Sequence, residues 1–135
     1  MGTKNTHRVV VTGAGGFIGH HLVKQLKVLG YWVRGVDVKH PEYESTLADD
    51  FIIADLREFE GCSSAVKDVD DVYNLAADMG GIGYITANHA ILTRNNSLIN
   101  NHMLEAARLE GVGRYLYTSS ACVYPSFLQD DADVT

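Results

Sequence analysis

The segment Val11-Thr-Gly-Ala-Gly-Gly-Phe-Ile-Gly19 sets Gly13, Gly16 and Gly19 at three-residue intervals. A turn built from residues without side chains lets backbone N–H groups come close to an anion. A helix that begins there also points the positive end of its dipole at the same charge. Pyrophosphate suits such a turn. Glycines at this spacing also make ordinary turns, so the flanking residues decide. Arg8-Val-Val-Val-Thr12 reads as a short buried strand, and Ile18, Leu22, Leu26 and Leu29 recur at helical spacing. Strand, glycine turn and helix in that order predict a nucleotide site at Gly13, Gly16, Phe17, Ile18 and Gly19.

Asp37 closes the next apolar strand, Tyr31-Trp-Val-Arg-Gly-Val-Asp37, 24 residues after Gly13. An acid about 20 residues beyond such glycines accepts hydrogen bonds from ribose hydroxyls and repels a 2′-phosphate. That predicts NAD in preference to NADP, with Lys39 and Arg34 near enough to soften the repulsion. The alternative is that Asp37 only caps a helix or makes a turn.

The elements that must position these residues alternate along the chain. Helix one stops at Gly30. Asp50-Phe-Ile-Ile-Ala54 reads as a third strand, Phe59–Lys67 as a short helix, and Asp71-Val-Tyr-Asn-Leu-Ala-Ala77 as a fourth strand buried on both faces. One long helix follows over about 86–110, with Ile91, Leu98, Ile99, Met103, Ala106 and Ala107 inward. Gly111-Val-Gly113 stops it, and Arg114–Ser119 is the fifth strand. Right-handed crossovers then give an α/β Rossmann-type doubly wound parallel sheet in the order 3-2-1-4-5, truncated after the fifth strand.

Composition narrows the function classes. The chain has 135 residues, enough for one domain, with 46% apolar and 21% charged residues. A net charge of −6 without a basic run argues against nucleic-acid binding. No apolar run approaches the roughly 18 residues a membrane span needs. The polar start, Met1–Arg8, reads as no signal peptide. Cys62 and Cys122 give no disulfide framework, which predicts a reducing, cytoplasmic setting. The six histidines lack paired ligand spacing, so no metal is expected.

Four further segments resemble the NAD-dependent sugar epimerase/dehydratase family of extended short-chain dehydrogenases. They are Asp55-Leu56 after the third strand, Asn74-Leu-Ala-Ala-Asp78 at the end of the fourth, Asn95-Asn96 in the long helix, and Thr118-Ser-Ser-Ala-Cys-Val-Tyr-Pro125 closing the fifth strand. The resemblance implies that Asp55 and Leu56 contact adenine, that Ala76 lines the cofactor, and that one asparagine of the pair is structural. Ala77-Asp-Met-Gly-Gly-Ile-Gly83 and Ser119–Pro125 further resemble the GDP-mannose 3,5-epimerase branch of that family. In that branch Gly80, Ser120, Ala121 and Cys122 would touch a GDP-hexose, and Cys122 and Ser120 would be catalytic.

A thiol suits that chemistry. Oxidation of a sugar at C4 by NAD⁺ leaves a ketone that acidifies the hydrogens at C3 and C5. A group with a pKa of about 8.5 can then move those protons near neutral pH. Ser120 would hydrogen-bond the sugar oxygen. The other reading of Cys122 is a small core hydrophobe at a strand end. Cys62, which has no such pattern, reads as packing. Tyr84 either flanks the sugar or packs against the helix.

The family's Tyr-x-x-x-Lys pair does not occur among the seven tyrosines, from Tyr31 with Gly35 to Tyr124 with Leu128. The chain therefore reads as the N-terminal nucleotide-binding portion of such an enzyme, inactive alone and homodimeric when intact. Without the remainder, Tyr115, Tyr117 and Val123 are expected to be exposed. Three readings stay open: a GDP-mannose 3,5-epimerase-like enzyme, a related NAD-dependent epimerase or dehydratase for another sugar, and a non-catalytic dinucleotide-sensing module.

Overall fold

The computed structural model describes residues 6–120, 123–125 and 127. Its centre is a run of three valines. Val9, Val10 and Val11 are fully buried in strand β1 (Arg8–Thr12), and their alternation sends Val10 to one face of the sheet and its neighbours to the other. β1 pairs in parallel with β2 (Trp32–Asp37) and β4 (Asp71–Asn74), which in turn pair with β3 (Asp50–Ile53) and β5 (Arg114–Tyr117). The strand order is β3-β2-β1-β4-β5, as the crossover rule requires.

Helix α1 (Phe17–Val28) covers the face of Val9, Val11 and Val33 with Val23 and Leu26. Helices α2 (Phe59–Val66) and α4 (His89–Glu110) cover the other, where Val10, Val36 and Val72 meet Cys62, Val66 and Met103. Burial pushes the Cys62 thiol up to about 12, and its Sγ donates to the Leu56 carbonyl at 3.2 Å, so it is an inert packing group.

The helical faces differ from the periodicity reading. In α1 the buried residues are Gly19, His20, Val23 and Leu26, while Ile18 and Leu29 are exposed. Gly19 sets this face. A Cβ there would lie 2.1 Å from the Gly13 carbonyl oxygen, so the helix approaches the sheet through a residue that apolar counting passes over. The helix expected over about 86–110 is α4; a separate short helix, α3 (Ile82–Ala87), precedes it and ends at Asn88, whose side chain donates to the Tyr84 carbonyl at 2.8 Å. The buried stripe of α4 keeps Ile99, Met103, Ala106 and Ala107 as expected, adds Leu92 and Asn95, and leaves Ile91 outside. Gly111, at φ 79°, ends α4 in the left-handed conformation.

β4 stops at Asn74 instead of Ala77. The N–H groups of Leu75 and Ala76 leave the ladder and donate to the Thr12 hydroxyl at 3.1 and 3.0 Å. β5 likewise ends at Tyr117, two residues before Ser119. Tyr117 and Val123 are exposed as expected, whereas Tyr115 packs against the α2–α4 core.

At the other end of the sheet, Asp71 is buried between Arg114 and His7. Arg114 Nε donates to it at 3.0 Å and His7 Nε2 lies 2.8 Å away. Burial pushes the Asp71 carboxyl up, but the bonds from Arg114 and His7 outweigh it and hold it below the ordinary value. A carboxylate depressed in the folded state stabilises the fold above its unfolded pKa and ceases to do so as pH falls through the folded value. Stability should therefore decline as pH drops below about 4. Asp71→Asn should flatten that decline and cost about 1–3 kcal/mol at pH 7 in denaturant titrations. A pH profile identical to that of the unaltered protein would refute the role. Gly19→Ala should cost a similar amount, about 1–3 kcal/mol, because the obstructing atom is backbone. Gly16→Ala, whose Cβ would sit 3.3 Å from the nearest atom, should cost less in the same titration.

Candidate dinucleotide-binding site

Beyond the C-terminal ends of β1, β2, β3 and β4 lies an open cavity of about 560 Å³. It sits where open parallel sheets of this order place ligands, at the point where the chain switches direction across β1. Gly13, Gly16, Asp37, Asp55, Leu56 and Ala76 all line it. Six of the nine residues expected at the cofactor thus share one cavity. Phe17, Ile18 and Gly19 do not line it: the first two point to solvent and Gly19 faces the turn.

The glycine turn is held from three sides. Gly13 adopts φ +70°, and a Cβ there would lie 3.1 Å from the Leu75–Ala76 backbone. Gly16 N–H donates to the Gly13 carbonyl at 3.1 Å, and His20 N–H to the Gly16 carbonyl at 3.0 Å, which starts α1. Gly16 caps this helix without a side-chain bond, and no acidic residue sits in its first turn. The dipole end is consequently left unneutralised toward the cavity. Spacing alone missed Gly15. Its N–H donates to Asp37 Oδ2 at 2.9 Å, and a Cβ there would fall 2.3 Å from the Lys39 carbonyl oxygen. The signal was present, since a fourth glycine interrupts the three-residue pattern.

Asp37 therefore combines two readings that the sequence set apart. Its Oδ1 accepts Val38 N–H at 2.7 Å, which makes it a turn residue, while its carboxylate also faces the cavity. A carboxylate has about four lone-pair sites, so bonds to backbone leave capacity for a hydroxyl. Across the cavity Asp55 accepts Arg57 N–H at 2.9 Å and the Arg57 guanidinium at 3.0 Å. That guanidinium holds the Asp55 carboxyl below its usual range. Arg57 lines the cavity as well and was missed as a site residue, and Lys39, expected near Asp37, lines it too.

The β4 side is ordered by a polar chain. Thr12 Oγ1 donates to Asn74 Oδ1 at 2.7 Å in full burial, Asn74 Nδ2 donates to Asn100 Oδ1 at 3.1 Å, and Thr118 Oγ1 donates to the Asn74 carbonyl at 3.0 Å. Asn96 bonds both backbone groups of Asp78, accepting from its N–H at 2.7 Å and donating to its carbonyl at 3.0 Å. Asn95 reaches the Asp78 carboxylate at 2.8 Å.

Of the residues expected at a sugar, Gly80 and Ser120 do not line this cavity. Gly80 is exposed beside Met79, which lines the rim, and Ser120 is exposed beyond β5. Ala121 and Cys122 lie outside the described residues. Tyr84 packs its ring onto Gly80 and donates to Asp78 Oδ1 at 3.2 Å. Among the described residues no group of three His, Cys, Asp or Glu side chains could hold a metal ion, and no helix is long and apolar enough to cross a membrane.

The arrangement fits a dinucleotide: a side-chain-free turn at an open helix end, a carboxylate at the neighbouring strand end, and apolar Leu56 and Ala76 on the wall of the same cavity. Known proteins are similar to this chain. The chain is 45% identical over 130 residues to GDP-mannose 3,5-epimerase 1 of Oryza sativa subsp. indica, covering 95% of this chain and 34% of that protein. It is 46% identical over 124 residues to GDP-mannose 3,5-epimerase of Arabidopsis thaliana, covering 90% and 33%. It therefore spans about a third of the length of these relatives. Among solved structures, a UDP-galactose 4-epimerase superposes with a TM-score of 0.76 at 32% identity over 94% of this chain and 41% of that one. MoeE5, in complex with UDP-glucose and NAD, superposes at 0.75 with 33% identity over 87% and 38%. The model of the NAD dependent epimerase/dehydratase family matches residues 9–135, and the chain belongs to that family.

Proposed function

We propose that this chain forms the dinucleotide-binding part of an NAD-dependent nucleotide-sugar epimerase acting on GDP-mannose, in a cytoplasmic homodimer. The observation that carries the reading is the single cavity uniting Gly13, Gly16, Asp37, Asp55, Leu56 and Ala76 in a chain 45% identical to GDP-mannose 3,5-epimerases. In it Gly13 and Gly16 hold the pyrophosphate and Asp37 the adenosine ribose. Asp55, Leu56 and Ala76 enclose the adenine, and Phe17, Ile18 and Gly19 form the first turn beside it. NAD, when bound, supplies reversible removal of a hydride from a sugar carbon.

The chain's own residues do the rest. Gly80, Ser120, Ala121 and Cys122 contact the GDP-hexose, and Ser120 hydrogen-bonds the reacting oxygen. Cys122 moves a proton at the carbon beside the ketone, where a thiol of pKa about 8.5 is matched to neutral pH.

Asp37 should decide the cofactor. Titration of the whole protein should give tighter binding of NAD(H) than NADP(H). Asp37→Ala should weaken NAD(H) by about ten- to a hundredfold, through both the lost ribose bond and the freed Gly15 N–H, and narrow the gap between the two cofactors. Equal binding of NADP(H) by the unaltered protein would overturn the assignment.

Turnover should separate substrate classes. The whole protein should incorporate solvent deuterium at C3 or C5 of GDP-mannose and not of UDP-glucose. Cys122→Ser should suppress that incorporation by about a hundredfold with NAD still bound. Incorporation at the unaltered rate would make Cys122 a packing residue. Turnover of UDP-sugars alone would favour the related-epimerase reading, and binding of NAD without any turnover would favour a sensing module.

A further inference from the structure

Asp78 makes more bonds to its own protein than a cavity-lining residue needs. Its N–H and carbonyl are both taken by the Asn96 amide, at 2.7 and 3.0 Å. Its carboxylate takes Asn95 Nδ2 from α4 at 2.8 Å on one oxygen and the Tyr84 hydroxyl from α3 at 3.2 Å on the other. Asn95 is itself buried, with its amide oxygen accepting from Arg94 at 3.1 Å, so its nitrogen is fixed toward Asp78. The Tyr84 ring then lies across Gly80, where an added Cβ would be 2.6 Å from the ring. The five-residue path from Asp78 to Ile82 is thereby tied down at its start by α4 and at its middle by an α3 side chain. Asp78 and Met79 line the cavity, so this path is its rim.

We infer that Asp78 is a positioning residue: its carboxylate clamps α3 to α4 and, through the Tyr84 ring on Gly80, holds the Met79–Gly81 rim at the height where a sugar nucleotide meets the dinucleotide. The inference rests on the preceding reading only in naming the sugar nucleotide as what the rim contacts. The clamp works by hydrogen-bond geometry and not by charge. An asparagine can keep it, accepting from Asn95 through its oxygen and donating to the Tyr84 oxygen through its nitrogen. Two partners lost together expose a buried donor at Asn95, so alanine should release the rim.

The test uses the whole protein with Asp78→Ala, Asp78→Asn and Tyr84→Phe, and two readouts. Amide hydrogen exchange over residues 79–84 should quicken about tenfold or more in Asp78→Ala, less in Tyr84→Phe, and little in Asp78→Asn. With GDP-mannose as substrate, KM should rise about tenfold in Asp78→Ala while kcat and the NAD dissociation constant change less than about threefold, and Asp78→Asn should recover most of the loss. Unchanged exchange in Asp78→Ala would overturn the clamp. So would an Asp78→Asn variant as impaired as Asp78→Ala, since the charge would then act directly. If the unaltered protein does not turn over GDP-mannose, the functional reading fails and the exchange arm alone decides the clamp.

Discussion

A Cβ on Gly19 would fall 2.1 Å from the Gly13 carbonyl oxygen, one on Gly15 2.3 Å from that of Lys39, and one on Gly13 3.1 Å from the Leu75–Ala76 backbone. At these three points main chain rests on main chain: the first two leave no room for a side chain, and the third, at φ +70°, is a tight fit. The contacts bring the start of α1, the end of β2 and the end of β4 onto the end of β1. The cavity is the space left among them. Everything else in the site depends on this approach: the open helix end faces inward because Gly19 lets α1 lie flat, and Asp37 reaches the turn because Gly15 presents its N–H there. Dispersion and burial hold the sheet together, but the glycines decide where its ligand can go.

Polar groups near that contact are satisfied in a way that fixes geometry as well as saving desolvation. The Thr12 hydroxyl donates to Asn74 and accepts from two backbone N–H groups, ending the β1–β4 ladder and turning the chain out along the cavity wall. Leaving any of these buried groups unpaired would cost about 1–3 kcal/mol, which is a large part of the stability of a domain this size. At the opposite end of the sheet Asp71 does similar work between Arg114 and His7, away from the ligand. Site end and stability end are thus separate along the strands.

Much of this was legible in the residues. Val9–Val11 read as a buried strand, the alternation of elements with right-handed crossovers predicted the sheet order, the spacing of the glycines and Asp37 found three residues of the cavity, and the family resemblance added Asp55, Leu56 and Ala76. The helix faces were not legible in the same way. Counting leucines put Ile18 and Leu29 inside α1, because hydrophobicity ranks a leucine above a glycine even where only the glycine can touch the sheet. Counting also passed over α3, a six-residue helix without a buried face that periodicity cannot report. Gly15 and Arg57 escaped for another reason. Gly15 pairs with Asp37, 22 residues away, a contact that appears only once the strands are side by side, and Arg57 reaches the cavity through its bond to Asp55.

The central claim is that one cavity, built by backbone contact at the glycines, takes a dinucleotide with its adenine between Asp55–Leu56 and Ala76. A crystal structure of the whole protein with NAD(H) tests it most directly. The account predicts the pyrophosphate over Gly13–Gly16, a ribose hydroxyl within about 3 Å of the Asp37 carboxylate, and no displacement of the glycine turn. A cofactor bound elsewhere, or a turn that must open to admit it, would contradict the account.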